Sequence, residues 1–161
     1  MAAGRFAGSV ALAMEPYSYR ADPLVPPFDD RHPIVFMDGE CALCTRAART
    51  IARLDKAEEF RICPIQTPLG RAILCHYDMN PGDPATWLYL ENGVAHGSME
   101  GVVRAGRRMG GIARLTALLL ILPRPVRDSL YNCIVRTRYR LFGRADMCGI
   151  PDAALRKRLL T

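Results

Sequence analysis

The sequence predicts an α/β domain built on a mixed sheet, with a helical extension at its C-terminal end. Three observations carry that prediction. Short β-branched apolar runs alternate with helical patterns through the first half of the chain. Asn92-Gly93, set between two apolar runs, is a hairpin signal. Beyond Gly110-Gly111 only helical patterns remain. At 161 residues, half of them apolar, the chain can bury one good core, and two independent domains would be cramped.

Five prolines (Pro16, Pro23, Pro26, Pro27 and Pro33) forbid a continuous helix before Ile34, so residues 1–33 read as a flexible N-terminal arm. Within it, Arg5 and the apolar stretch Phe6–Met14 faintly echo a secretory signal. The apolar run is too short for one, and a cytoplasmic location is expected. Ile34–Met37 reads as a buried strand, bounded by Pro33 and Asp38-Gly39. Cys41 opens a helical pattern to about Asp55, with Ala48, Ile51, Ala52 and Leu54 toward the core and Arg46, Arg49 and Arg53 toward water. Phe60–Ile65 alternates as a second strand, and Pro64 puts its far end at an edge or bends it out of the sheet. Thr67 or Pro68 starts a helix to about Cys75. Thr86–Leu90 and Val94–His96 form the hairpin. Ser98 is expected to cap a helix that Gly110-Gly111 ends, and a second apolar helix follows from Ile112 to Leu122.

Pro123-Arg-Pro125 then leads into a helix from Val126 to about Phe142. Val126, Leu130 and Ile134 fall four apart beside a stripe of Tyr131, Val135 and Tyr139, so this helix should pack onto the sheet. The order strand, helix, strand, helix, strand, strand, helix matches a thioredoxin-like fold: a parallel pair joined by a crossover, then an antiparallel hairpin. The expected organisation is the arm, a core over 34–111, and an extension over 112–161 packed on it as part of one domain.

The chemistry-bearing motif is Cys41-Ala-Leu-Cys44, which follows a strand and a tight turn and opens a helix. Thiols three residues apart stack on one helix face and can close into a disulfide. Positive potential at a helix start favours thiolate, the nucleophile. Cys41 is therefore the expected attacking thiol, and the more exposed one; Cys44 would resolve the mixed disulfide. Asp38 has two compatible readings: acceptor of the Cys44 proton, or a turn residue holding backbone N–H groups. Cys63, Cys75 and Cys133 read as small core hydrophobes. Cys148 could reach the dithiol as a third redox thiol or pack the C-terminal tail. No metal or cofactor is expected. Zinc held by Cys41 and Cys44 with Cys63, Cys75 or His76 is a rival, but there is no second C-x-x-C, and Cys75 and His76 are adjacent. His32, His76 and His96 show no spacing that points to a triad. His96 reads as the end of a strand and Trp87 as core.

Charge separates along the chain. From Arg104 onward there are thirteen Lys or Arg against three Asp; before it, nine against thirteen acidic residues. The alternative to an enzyme is thus a binding module that docks acidic partners or nucleic acid through its Arg-rich C-terminal half. Arg136, Arg140 and Arg144 share a helix side that Arg138 does not. A solvated or ion-paired face is the simpler account, which makes nucleic acid the lesser expectation. No apolar run approaches the ~20 residues of a membrane span.

Phe36-Met-Asp-Gly-Glu-Cys-Ala-Leu-Cys44 resembles the (Y/F)-x-D-G-x-C-x-x-C signature of the DCC-family thiol–disulfide oxidoreductases. Pro64-Ile-Gln66 is similar to that family's Pro-Leu-Gln. Pro123-Arg-Pro-Val-Arg-Asp128, Tyr131, Arg138–Gly143 and Cys148 resemble its C-terminal block, so the likeness runs from Ile34 to Pro151. It implies a thioredoxin-like fold and a redox-active dithiol but no substrate; the expected partner, from the dithiol chemistry, is a disulfide-containing protein or small-thiol client. Two departures stand out. Ser98-Met-Glu100 replaces the family's frequent Ser-Asp-Ala. Pro84 is one residue out of step with the cis-proline that faces the dithiol in thioredoxins.

Overall fold

β1 (Ile34–Met37) takes the centre of the sheet because all four of its side chains are apolar and can be buried on both faces. The computed structural model describes residues 15–80, 82, 87–149 and 152–160. Strand order is β2-β1-β3-β4, with β2 (Arg61–Pro64) parallel to β1. β3 (Leu88–Glu91) runs antiparallel to β1, and β4 (Val94–Gly97) antiparallel to β3. This is the expected thioredoxin-like arrangement. The hairpin turns through Asn92 and Gly93, at φ 50° and 76°, the left-handed pair that a two-residue turn requires.

Alternation along the strands splits the interior into two cores. Val35, Met37, Ile62 and Tyr89 face α1 (Ala42–Leu54). Ile34, Phe36, Cys63, Leu88 and Leu90 share the opposite core with Ile73 and Leu74 of α2 (Pro68–His76). Thr67 caps α2, its hydroxyl accepting the Gly70 N–H at 3.0 Å, with Pro68 in the first turn. β2 lies at the edge, as Pro64 requires. That edge is covered: beyond α5 (Ala153–Arg156), Ile62 donates to the Arg158 carbonyl and accepts from Leu160 N–H, both at 2.8 Å.

Several elements depart from expectation. α3 (Ser98–Met109) has no side-chain cap: Gly97 occupies the cap position, and Ser98 enters the helix at φ 54°. Gly111–Ile121 is a 3₁₀ helix, not an α-helix, and Ala113 is its one buried residue. With so little apolar burial, no amphipathic face holds an α-helical geometry there. α4 (Arg124–Phe142) is present, but Val126, Leu130 and Ile134 face solvent. Its buried residues are Arg127, Val135 and Arg138. The helix is rotated toward its charged groups because one of them meets a buried acid.

The stretch expected as an arm packs against the core from residue 15 onward. Tyr19 is fully buried, Tyr17 N–H donates to the Gly93 carbonyl at 2.9 Å, and Asp22 meets His76 at 2.7 Å. Residue spacing exposed the prolines but not this long-range pairing. The signal-like stretch Phe6–Met14 and Pro84 with its neighbours lie outside the described residues. Among the described residues, no helix is long and apolar enough to cross a membrane.

Candidate active site: a dithiol under a C-terminal strap

The turn from β1 into α1 is built by side chains on both sides of it. Asp38 Oδ1 accepts the Glu40 N–H at 2.9 Å, an Asx turn that reverses the chain. Gly39 donates to Gln66 Oε1 at 3.0 Å, and a Cβ there would come within 3.1 Å of both Gln66 Oε1 and Pro64. Close approach is thus the reason for glycine. Cys41 becomes the N-cap of α1, and its Sγ accepts the Cys44 N–H at 3.5 Å. Cys44 sits one turn on, hydrogen-bonded to the Cys41 side chain. Both are free thiols.

A charged group from the far end of the chain completes the site. Arg138 of α4 donates from Nη1 to Cys44 Sγ at 3.3 Å and from Nη2 to Asp38 Oδ2 at 2.7 Å. All three side chains are buried. Asp38 Oδ2 also accepts from the Tyr139 hydroxyl, and Oδ1 from Gln66 Nε2 at 2.7 Å. Burial pushes the Asp38 carboxyl up. The hydrogen bonds from Tyr139, Glu40 and Gln66, with the Arg138 charge, outweigh it and hold the carboxyl below its usual range. Burial pushes the Cys44 thiol up to about 12; Arg138 works against that, while Cys41 and Asp38 add to it. Arg138 would lose basicity by burial, yet the Cys44, Cys41 and Asp38 charges hold it firmly protonated.

A strap covers the pair. After Gly143 the chain lies antiparallel to residues 39–42: Ala42 N–H donates to the Gly143 carbonyl (3.3 Å), Ala145 N–H to Glu40 (3.0 Å) and Met147 N–H to Gly39 (2.8 Å). Arg144 reaches the Glu40 carboxylate at 3.5 Å on the outside. Met147 is buried in the same core as both cysteines. In consequence Cys41 is 0 % and Cys44 7 % exposed. The expectation of an exposed Cys41 is corrected: helix-start position alone does not expose a sulfur when a later segment pairs across it.

The other cysteines divide. Cys63 is buried, in the core on the opposite sheet face from the dithiol. Cys75 and Cys133 are exposed, not core, because α2 turns Ile73 and Leu74 inward and α4 turns Val135 and Arg138 inward. Cys148 is exposed, and its neighbour Met147 is the residue packed with the dithiol. His76 is held by Asp22 and by the Ser18 hydroxyl at 2.9 Å. Among the described residues no group of three or more His, Cys, Asp or Glu side chains could hold a metal. His96 is buried in β4, and Trp87 packs half-buried against the dithiol-side core.

Asp38, Cys41 and Cys44, the residues singled out in the sequence, lie together in the structure. Sequence reasoning missed Arg138, Tyr139 and Gln66. Arg138 did leave a signal: it was the arginine out of phase with Arg136, Arg140 and Arg144, three residues from buried Val135.

A strand, an Asx turn and a C-x-x-C helix start on a four-stranded mixed sheet define a thioredoxin-like dithiol protein. The DCC1-like thiol-disulfide oxidoreductase family matches residues 35–144, and the chain belongs to it. Among curated proteins it is similar to the uncharacterized protein YuxK of Bacillus subtilis (strain 168), 27% identical over 127 residues, which are 79% of this chain and 93% of YuxK. It is also similar to the chloroplastic DCC family protein At1g52590 of Arabidopsis thaliana, 28% identical over 121 residues, 74% of this chain and 70% of the relative. No solved structure matches.

Proposed function

We propose that the chain exchanges disulfides with a protein or small-thiol client, Cys41 attacking and Cys44 resolving. The observation that carries this reading is the paired thiols at the α1 start with a buried guanidinium bonded to the second of them. The Cys41 thiolate attacks one sulfur of the client disulfide. The client S–S bond breaks, a mixed disulfide forms, and the departing client thiolate takes up the Cys44 proton. The Cys44 thiolate, its charge met by Arg138, then attacks Cys41 Sγ. The mixed disulfide breaks, the second client thiolate leaves and is protonated, and Cys41–Cys44 is oxidised by two electrons as the client is reduced. The reverse sequence oxidises a client.

Asp38 serves this cycle as a positioning residue. A carboxylate held below its usual range and accepting four donors is a weak proton acceptor, but it fixes Arg138 against Cys44. Client access to Cys41 requires the strap over residues 143–147 to part from the turn.

Purified wild type and two variants test the reading. Cys41→Ser should abolish reduction of a disulfide substrate. Cys44→Ser should accumulate mixed disulfides visible as mass adducts. A wild-type protein with no dithiol–disulfide couple measurable against glutathione would sink it.

A further inference from the structure

Away from the dithiol, arginines gather where α3, the 3₁₀ segment and the start of α4 meet. They line an open cleft of about 640 Å³. Arg104 is paired with Glu100 at 3.0 Å, and Arg108 with Glu91 at 2.7 Å and Glu59 at 3.1 Å. Arg107, Arg124 and Arg127 also line the cleft, and among the described residues none of them has a carboxylate within ion-pair distance. Val103 and Leu120 add apolar wall.

Arg127 is the informative member. It is 7 % exposed, and its Nε has no hydrogen-bond partner. The two other buried arginines also have an Nε without a partner, but each meets a carboxylate, which Arg127 does not among the described residues: Arg138 that of Asp38 at 2.7 Å, Arg158 that of Asp55 at 3.6 Å. A guanidinium withdrawn from water without a counter-charge is costly, so buried cations are ordinarily paired. Among the described residues no carboxylate pairs with Arg127, and it lines the cleft beside Arg107 and Arg124, for which the same holds, while the two lining carboxylates, Glu91 and Glu100, are engaged by Arg108 and Arg104. Arg124 and Arg127 are moreover the two arginines of the Pro-Arg-Pro-Val-Arg-Asp block, to which the dithiol chemistry assigns no task.

We propose that this cleft binds a phosphate-bearing ligand whose oxygens pair with Arg107, Arg124 and Arg127. A phosphate or diphosphate suits several converging forks better than a single carboxylate does, because it offers more oxygens and more than one charge. The cleft exceeds a bare phosphate in volume, and Val103 with Leu120 gives an apolar part of the ligand a place to lie. Two sources share this chemistry: a soluble phosphate ester, and a phospholipid headgroup reached beside the exposed Ile112, Leu115, Leu118 and Ile121.

The test uses the full chain at low salt. Calorimetric titration with inorganic pyrophosphate reads the soluble source. Co-sedimentation with phosphatidylglycerol against phosphatidylcholine vesicles reads the lipid source. Binding in either arm is expected, weakened at least tenfold in Arg124→Gln and Arg127→Met and unchanged in Arg136→Gln, which lies outside the cleft. Pyrophosphate binding assigns a soluble ligand, and binding confined to phosphatidylglycerol vesicles assigns the headgroup; both uphold the site. Arg127→Met has a second readout independent of ligand. Without phosphate its melting temperature should equal or exceed wild type, because the buried charge removed has no carboxylate partner among the described residues. No binding in either arm, or binding undiminished by Arg124→Gln and Arg127→Met, would overturn the proposal. Disulfide exchange should be intact in Arg124→Gln, so failure here is distinguishable from failure of the redox reading.

Discussion

Replacing Arg138 by Gln should slow the resolving step while leaving the first attack on a disulfide reagent nearly unchanged. Arg138 Nη1 lies 3.3 Å from Cys44 Sγ, and both groups are buried. At an effective dielectric of about 20, a thiolate at that distance gains up to roughly 5 kcal/mol from the charge, an upper bound. A charge-assisted hydrogen bond nets ~2 kcal/mol, the more realistic figure, equivalent to a rate loss of about thirtyfold. The sign follows from the ionisation. Burial already drives the Cys44 thiol up to about 12 and Arg138 opposes it, so losing Arg138 moves it higher and lowers the thiolate fraction at any lower pH. A chromogenic aryl disulfide separates the steps in stopped flow: the first aryl thiolate reports attack by Cys41, the second reports resolution by Cys44. The resolution rate should rise with pH in both proteins, the variant's profile displaced to higher pH. Arg138→Gln also strands the Asp38 carboxylate, at a cost of ~3–5 kcal/mol. The double variant Asp38→Asn/Arg138→Gln, which removes both charges, should recover part of that stability without recovering the rate. A folded double variant that resolves at the wild-type rate, on the wild-type pH profile, would show that Arg138 only holds the fold.

Two further outcomes follow from the same geometry. Asp38 is held below the ~3.9 of an unfolded-chain aspartate, so between the two values the unfolded state binds more protons and stability falls as pH drops. Its contribution is complete above that window, and Asp38→Asn should flatten the acid limb of urea midpoints measured across pH; an unchanged limb would contradict the assignment. Met147→Ala removes the apolar anchor of the strap, a deletion that costs ~2–5 kcal/mol in a core. Exposed Cys75, Cys133 and Cys148 should alkylate rapidly in both proteins, and Cys41 slowly in wild type but at least tenfold faster in the variant, as read by peptide mass spectrometry. Wild-type Cys41 labelling as fast as Cys148 would mean that the strap does not guard it.

Local signals in the sequence led to the right structure at three boundaries, though not at Ser98, which does not cap α3. Pro33 and Asp38-Gly39 bounded β1, Thr67-Pro68 started α2, and Asn92-Gly93 turned the hairpin, each through backbone preferences of adjacent residues. Periodicity failed where partners come from far away. On α4 the apolar stripe Val126-Leu130-Ile134 was the obvious buried face, yet the helix turns Arg138 inward. Pairing with Asp38, one hundred residues earlier, decides that orientation. Tyr19, buried beside Phe28 and bonded to Asp30, was hidden in a proline-rich stretch for the same reason. Cys41 and Cys44 were legible as a pair, since i, i+3 spacing is local. Their burial was not, since the strap that covers them begins a hundred residues later at Gly143.

The C-terminal segment gives the two thiols different surroundings, and this bears on the order of the chemistry. Arg138 and Tyr139 belong to α4, whereas the cover over Cys41 belongs to the strap beyond Gly143. Gly143 lies between them at φ 76°, a backbone state that disfavours other residues, with no atom within 4 Å of the position a Cβ would take. Parting the strap at Gly143 would break three backbone hydrogen bonds and lift Met147, while α4 would keep Arg138 on Cys44. In the proposed cycle Cys41 would then meet solvent and client while Cys44 stayed buried with its counter-charge. In that cycle a client sulfur would thereby be directed to Cys41 first and Cys44 reserved for the intramolecular step, where burial would do no harm because its target is already one helical turn away.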